Sequence, residues 1–123
     1  MKLFAYGTLR RRGRIEALVG RRLPDPVPAV LEGYRLYDTG RGYPVILPEP
    51  GHRVQGVLWT IDEADLGYLD HYEGADEDPP YYFRRTVPVQ VAGETVDAVV
   101  YVGNPAVFDR LIPIEAYGPA GWA

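Results

Sequence analysis

Glu73 is the side chain whose position in the pattern invites chemistry. Leu66, Leu69 and Glu73 follow one another at i, i+3 and i+7. On a helix these three share one face, so a carboxylate continues an apolar stripe. The leucines belong in the core, which places Glu73 close to apolar surroundings. Desolvation of that kind raises a carboxyl's pKa toward values useful for proton transfer near neutrality. A frayed last turn would instead leave Glu73 in water, and the pattern alone leaves both outcomes open. Asp70 and His71 fall on other faces of the same helix and are expected to point toward solvent.

A second segment, Phe4-Ala5-Tyr6-Gly7-Thr8-Leu9-Arg10, ends an apolar run in a glycine and a hydroxyl residue. Glycine permits a sharp turn and lets a ligand approach backbone N–H groups, which can hold a carboxylate or an oxyanion. An ordinary strand-to-loop turn reads the same way. Of the basic cluster Arg10, Arg11, Arg12 and Arg14, Arg10 stands next to the glycine and is the candidate clamp for a substrate carboxylate. Tyr81, Tyr82 and Phe83 could wall a pocket or simply fill the core. Asp76-Glu77-Asp78 has the look of a metal-binding run, but Pro79-Pro80 marks it as a solvated loop. His52 sits in a Pro-Gly-His-Arg turn, and neither it nor His71 has a nucleophile-activating context.

The elements that must position these groups are mostly strands. Lys2 to Tyr6, Val30 to Tyr37, Val54 to Ile61, Phe83 to Val91 and Thr95 to Val102 carry the Val-, Tyr- and Leu-rich runs expected of them. Gly33 interrupts the second and signals a bulge or a close backbone approach. Val45 to Leu47, bracketed by Pro44 and Pro48, reads as an edge or irregular strand. Ala92-Gly93-Glu94 is the best hairpin signal, and Pro88 favours an edge position for the strand before it.

Helices are fewer. Arg14 to Val19 ends at Gly20, and a clearer one runs from about Glu63 to Tyr72. Asp62 suits its N-cap, Glu63 and Asp65 suit its first turn, and Gly74 stops it. Ala106 to Leu111 adds a turn or two. The expected architecture is a single α+β domain over residues 1–123, a small mixed β-barrel of about six strands with few peripheral helices. Regular alternation with long helices is missing, which disfavours a doubly wound parallel sheet.

Composition sets the outer bounds. With no cysteine, disulfides and thiolate metal sites are excluded, and two histidines make an imidazole-rich metal site implausible. A formal charge of −4 argues against broad nucleic-acid binding. The N-terminal apolar run is too short for a signal core or a membrane span, so a cytoplasmic protein without membrane partners is expected. Proline-bracketed edges suit a monomer or loose homodimer.

Taken in order, these pieces resemble the gamma-glutamylcyclotransferase-like family. Phe4-Ala5-Tyr6-Gly7-Thr8-Leu9-Arg10 is similar to its Tyr-Gly-(Ser/Thr)-Leu substrate loop, and Leu69-Asp70-His71-Tyr72-Glu73-Gly74 to the Leu-Asp-x-x-Glu-Gly signature with the catalytic glutamate. Tyr43-Pro44-Val45 and Val54-Gln55-Gly56-Val57-Leu58-Trp59 look like its middle strands. Tyr82-Phe83-Arg84 with Val87 and Val89, then Ala98-Val99-Val100-Tyr101-Val102, look like its later ones. The match spans residues 3 to 102; Ile112-Pro113-Ile114-Glu115-Ala116-Tyr117 fits no part of it, and Trp122 stands only as a possible terminal aromatic.

The resemblance implies a cofactor-independent enzyme acting on a small-molecule gamma-glutamyl compound. Glu73 would move protons, and Tyr6, Gly7, Thr8, Leu9, Arg10 and Tyr82 would form the substrate pocket. The implied reaction closes a gamma-glutamyl amide to 5-oxoproline and releases the amine. Two alternatives stay open on the sequence: a non-catalytic small-molecule-binding module of the same fold, and a structural protein that pairs through its edge strands, with Glu73 in solvent.

Overall fold

Two apolar clusters, one on each face of a curled sheet, organise the molecule. The computed structural model describes residues 1–118, so the expectation about Trp122 lies outside the described residues. Along β1 (Lys2–Ala5), Leu3 and Ala5 belong to one cluster while Phe4 belongs to the other, joined by Tyr6 just beyond the strand. That is the period-two alternation of a strand buried on both faces.

The remaining strands are β2 (Val27–Asp38), β3 (Pro44–Thr60), β4 (Tyr82–Val91), β5 (Glu94–Gly103) and the short β6 (Ile112–Pro113). Their order is β3-β1-β5-β4-β2-β6, and a further β2–β3 ladder closes the first five into a barrel with β6 outside. The β1–β5 pairing is parallel and the others antiparallel, so the barrel is mixed, as expected. Phe4, Leu31, Ile46, Val54, Leu58, Val89 and Val100 fill its interior. Two helices, α1 (Arg12–Val19) and α2 (Leu66–Glu73), cover the outer cluster built on Ile15, Trp59, Ile61 and Leu69.

Sequence punctuation reappears as geometry. Gly33 has φ +83°, and the β2–β3 register shifts between Glu32 and Tyr34. Opposite that bulge β3 makes an excursion: Arg53 pairs with Glu32, but the next pair is Pro48 with Tyr34. Val45 to Leu47 pairs with β2 alone, so an edge position fits it, but it does not stand as a separate strand. It is the first arm of a single 17-residue strand, with Val45 and Ile46 fully buried. Pro50 and Gly51 fall inside the excursion, where the ladder makes no demand on them.

The β4–β5 hairpin turns on Ala92 and Gly93, at φ +50° and +83°, and Glu94 already pairs with Val91 as the first residue of β5. These positive φ values fit the two-residue turn that follows the twist of the strands. Pro88 is accommodated because the ladder between β4 and β2 holds one residue pair only, Val30 with Gln90.

The segment before α2 begins as a 3₁₀ turn, Glu63–Asp65, and Gly74 ends α2 in the left-handed conformation, φ +68°. Asp65 accepts from the Asp62 N–H at 2.8 Å and holds Arg21 through both oxygens at 2.5 and 2.7 Å. The region 106–111 holds only a 3₁₀ turn, Pro105–Val107. The C-terminal stretch adds β6 against Tyr37 and Asp38, and Tyr117 packs on the barrel cluster. No helix among the described residues is long and apolar enough to cross a membrane.

Candidate functional site

The end of β1, the start of β3, the last turn of α2, the start of β4 and the end of β5 converge on a cavity of about 330 Å³. Glu73 lines it, along with Tyr6, Gly7, Thr8 and Leu9 from the first loop and Tyr82 from β4. Six of the seven expected site residues are thereby brought together from positions up to 76 apart in the chain.

Burial pushes the Glu73 carboxyl up from an ordinary 4.5 to about 8. The reason is local. Leu69, one turn earlier, is fully buried, and the helix ends at Gly74, which is itself buried against the Tyr81 ring. Glu73 thus lines the cavity from a fixed helix end, half-buried among tyrosine rings.

The loop after β1 is held from behind. The Gly7 carbonyl accepts from Arg10 twice, from its N–H at 3.1 Å and from Nε at 3.0 Å. The Thr8 carbonyl accepts from the Arg11 N–H at 3.2 Å, and the Leu9 carbonyl from the Trp59 indole at 2.9 Å. All three carbonyls are tied to the protein, and the turn's own bonding begins only with the N–H of Arg10. The preceding N–H groups of Thr8 and Leu9 lie at the mouth of a helical turn, where amide donors have no internal partner.

Arg10 stands apart from the other expected residues. It is buried but off the cavity lining, bonded to the Gly7 carbonyl and to the carbonyl of Tyr117, and burial lowers its pKa. Its guanidinium secures the loop and the C-terminal stretch.

Several cavity residues were not singled out by the sequence as site residues. Tyr43, Pro44, Tyr72 and Tyr101 line the cavity, as does Tyr81, whereas Phe83 does not. Tyr101 reaches it at the end of β5, and only the alternation of that strand could have hinted at this. The Tyr82 hydroxyl donates to the Pro44 carbonyl at 2.6 Å, and that of Tyr6 to the Tyr101 carbonyl. Thr8 Oγ1 and the Tyr72 hydroxyl share a hydrogen bond of 2.8 Å. Burial raises the pKa values of Tyr6, Tyr82 and Tyr101, helped next by the Glu73 charge at Tyr6 and by the hydrogen bond to Asp70 at Tyr101, so all three phenols stay protonated.

Asp70 does not simply face water. Its Oδ1 accepts from the Tyr101 hydroxyl at 2.7 Å and its Oδ2 from Arg84 at 2.7 Å. His71 is exposed and pairs with Asp76 at 3.0 Å. Among the described residues no three His, Asp or Glu side chains are grouped to hold a metal ion.

The chain is similar to known proteins in sequence and in fold. AIG2-like protein C of Arabidopsis thaliana is 36% identical over 104 residues, which cover 81% of this chain and 57% of that protein. The chain thus spans little more than half the length of that relative. Gamma-glutamylaminecyclotransferase A of Danio rerio is 27% identical over 118 residues, covering 82% of this chain and 68% of that one. Among solved structures, one described as a gamma-glutamyl cyclotransferase superposes with a TM-score of 0.74 at 21% identity, over 92% of this chain and 70% of that chain, a likeness of fold. The family model described as gamma-glutamyl cyclotransferase, AIG2-like, matches residues 3–118, and the chain belongs to that family.

Proposed function

We propose that this chain is a gamma-glutamyl cyclotransferase that closes a gamma-glutamyl amide to 5-oxoproline and releases the amine. The observation that carries the reading is a single carboxyl of raised pKa, Glu73, in a tyrosine-lined cavity that also contains the Gly7–Leu9 turn. The family membership and the name of the Danio rerio relative support the same substrate class.

The reaction suits so small a site because ring closure is unimolecular. Much of the advantage comes from holding the substrate with its α-nitrogen against its own side-chain carbonyl. Glu73, as carboxylate, takes one proton from the α-ammonium, and the freed amine attacks Cδ. A C–N bond forms and the carbonyl oxygen becomes an oxyanion, which the N–H groups of the Gly7–Leu9 turn stabilise. Glu73 then protonates the amide nitrogen as the old C–N bond breaks, and it accepts the second proton from the attacking nitrogen. That proton passes finally to the released amine, so the sum of protons is unchanged. A pKa of about 8 places the carboxyl near the amine in basicity, which lets one group serve as base and then acid.

The test is incubation with a panel of gamma-glutamyl amino acids and gamma-glutamylamines, with 5-oxoproline followed by mass spectrometry. Product from the parent and none from Glu73→Gln is the expected result. Binding of the panel without product from the parent protein would make the domain a binding module.

A further inference from the structure

Two tyrosine hydroxyls that share the cavity with Glu73 spend their protons on other groups of the protein. Tyr82 gives its proton to the Pro44 carbonyl, and Tyr101 gives its proton to Asp70. Each phenol has one proton and two lone pairs, so both present acceptor oxygens to whatever enters the cavity they line. Tyr6 is less available: its proton goes to the Tyr101 carbonyl, and its oxygen already takes the Ile46 backbone N–H. Tyr72 differs in charge, since Arg14 stands 6.0 Å over its ring and reaches its hydroxyl at 3.4 Å. A cation would be repelled there.

We propose that Glu73, Tyr82 and Tyr101 form the subsite for the substrate's α-ammonium group, and that Asp70 is the positioning residue that creates it. An ammonium carries three N–H donors and no acceptor, and it meets here three oxygen groups able to accept. The assignment rests on the gamma-glutamyl reading above, which requires an amine beside Glu73.

Asp70 sets the polarity. Arg84 occupies its second oxygen, so the first is left to take the Tyr101 proton. In Asp70→Asn the lone amide oxygen would stay with Arg84, which can only donate, and the NH₂ would face Tyr101. The Tyr101 oxygen would then accept from Asn, and its proton would turn toward the cavity and oppose an ammonium. Asp70 would thus act on the substrate through another side chain, without touching it.

The experiment compares two ligands, N5-methyl-L-glutamine and its desamino counterpart, the mono-N-methylamide of glutaric acid. Affinity for the desamino ligand, which cannot cyclise, is measured by calorimetry, and KM for N5-methyl-L-glutamine by release of 5-oxoproline. Both are measured in the parent protein, where Glu73 keeps its charge, and in its Tyr101→Phe and Asp70→Asn variants. Thermal melts confirm that each variant is folded, and the two changes are independent routes to the same loss. The expected result is a KM for the amine-bearing ligand that rises about tenfold in both variants, while affinity for the desamino ligand is unchanged. An unchanged KM in the variants, or an equal loss for both ligands, overturns the assignment and leaves the gamma-glutamyl reading standing. A parent that neither forms 5-oxoproline nor binds the desamino ligand overturns both.

Discussion

The Trp59 indole donates to the Leu9 carbonyl at 2.9 Å, joining the last part of β3 to the candidate substrate loop. Trp59 is fully buried and Arg12 stacks 5.4 Å over its ring. The core thereby fixes the direction of a peptide group that lines the cavity. Removing the donor leaves a buried carbonyl unpaired. Trp59→Phe is expected to cost about 1–3 kcal/mol in denaturant unfolding. It should also lower kcat/KM more than a core substitution of equal cost in the barrel interior, such as Val89→Ala. Equal activity in the two variants would separate the indole from the site.

Glu73 links catalysis to pH. As the base it must be ionised, so kcat/KM is expected to fall as pH drops below about 8, the value to which burial raises its carboxyl. Glu73→Gln should reduce turnover by about 10²–10⁴-fold.

The same group makes a signed prediction for stability. Its folded pKa is raised from 4.5 to about 8, so the folded state holds the proton more tightly than the unfolded chain. The resulting stabilisation is complete below 4.5 and is lost as pH rises through about 8. Across that interval the parent is expected to lose stability, on the order of a few kcal/mol, relative to Glu73→Gln. Unfolding free energies of the two proteins from pH 5 to 9 provide the check; parallel curves would place Glu73 in water.

Gly56 of β3 lies directly against Ala5 and Phe4 of β1. A Cβ there would overlap the Ala5 carbonyl and stand 2.8 Å from Phe4 Cζ, both of them in the packed barrel wall. Neither neighbour can retreat without opening the β1–β3 ladder, where Ala5 pairs with Val57. Gly56→Ala is expected to destabilise by about 3 kcal/mol or to prevent folding. A melting temperature within a few degrees of the parent would show that the ladder yields more easily than this.

Asp65 fastens α2 to the chain after α1 through its two-pronged contact with Arg21. That hydrogen bonding holds its carboxyl below the ordinary 3.8. The stability it adds is present above 3.8 and is lost as pH falls through the lowered folded value. Asp65→Asn is expected to cost about 1–3 kcal/mol at neutral pH, with the difference narrowing in acid. A difference that persists unchanged at low pH would point to shape, not charge.

Local chemistry determined what could be read along the chain. Gly33, Gly74 and the Ala92-Gly93 turn stand where positive φ is required, because backbone sterics act within a few residues. The Leu66, Leu69, Glu73 stripe was legible for the same reason, since helical periodicity is local. What the sequence left open was decided by partners distant in the chain. Val45 to Leu47 read as a short separate strand because Pro44 and Pro48 bracket it, yet pairing with β2 makes it one arm of the long β3, with Val45 and Ile46 fully buried.

Arg10 looked available for substrate until the fold brought the Tyr117 carbonyl to it, 107 residues away. Asp70 looked solvent-bound until Tyr101 and Arg84 reached it from β5 and β4. Glu73 could be placed on an apolar stripe by its spacing alone. Its desolvation depends on tyrosines from four other segments closing around it, and only tertiary packing sets how far water is excluded.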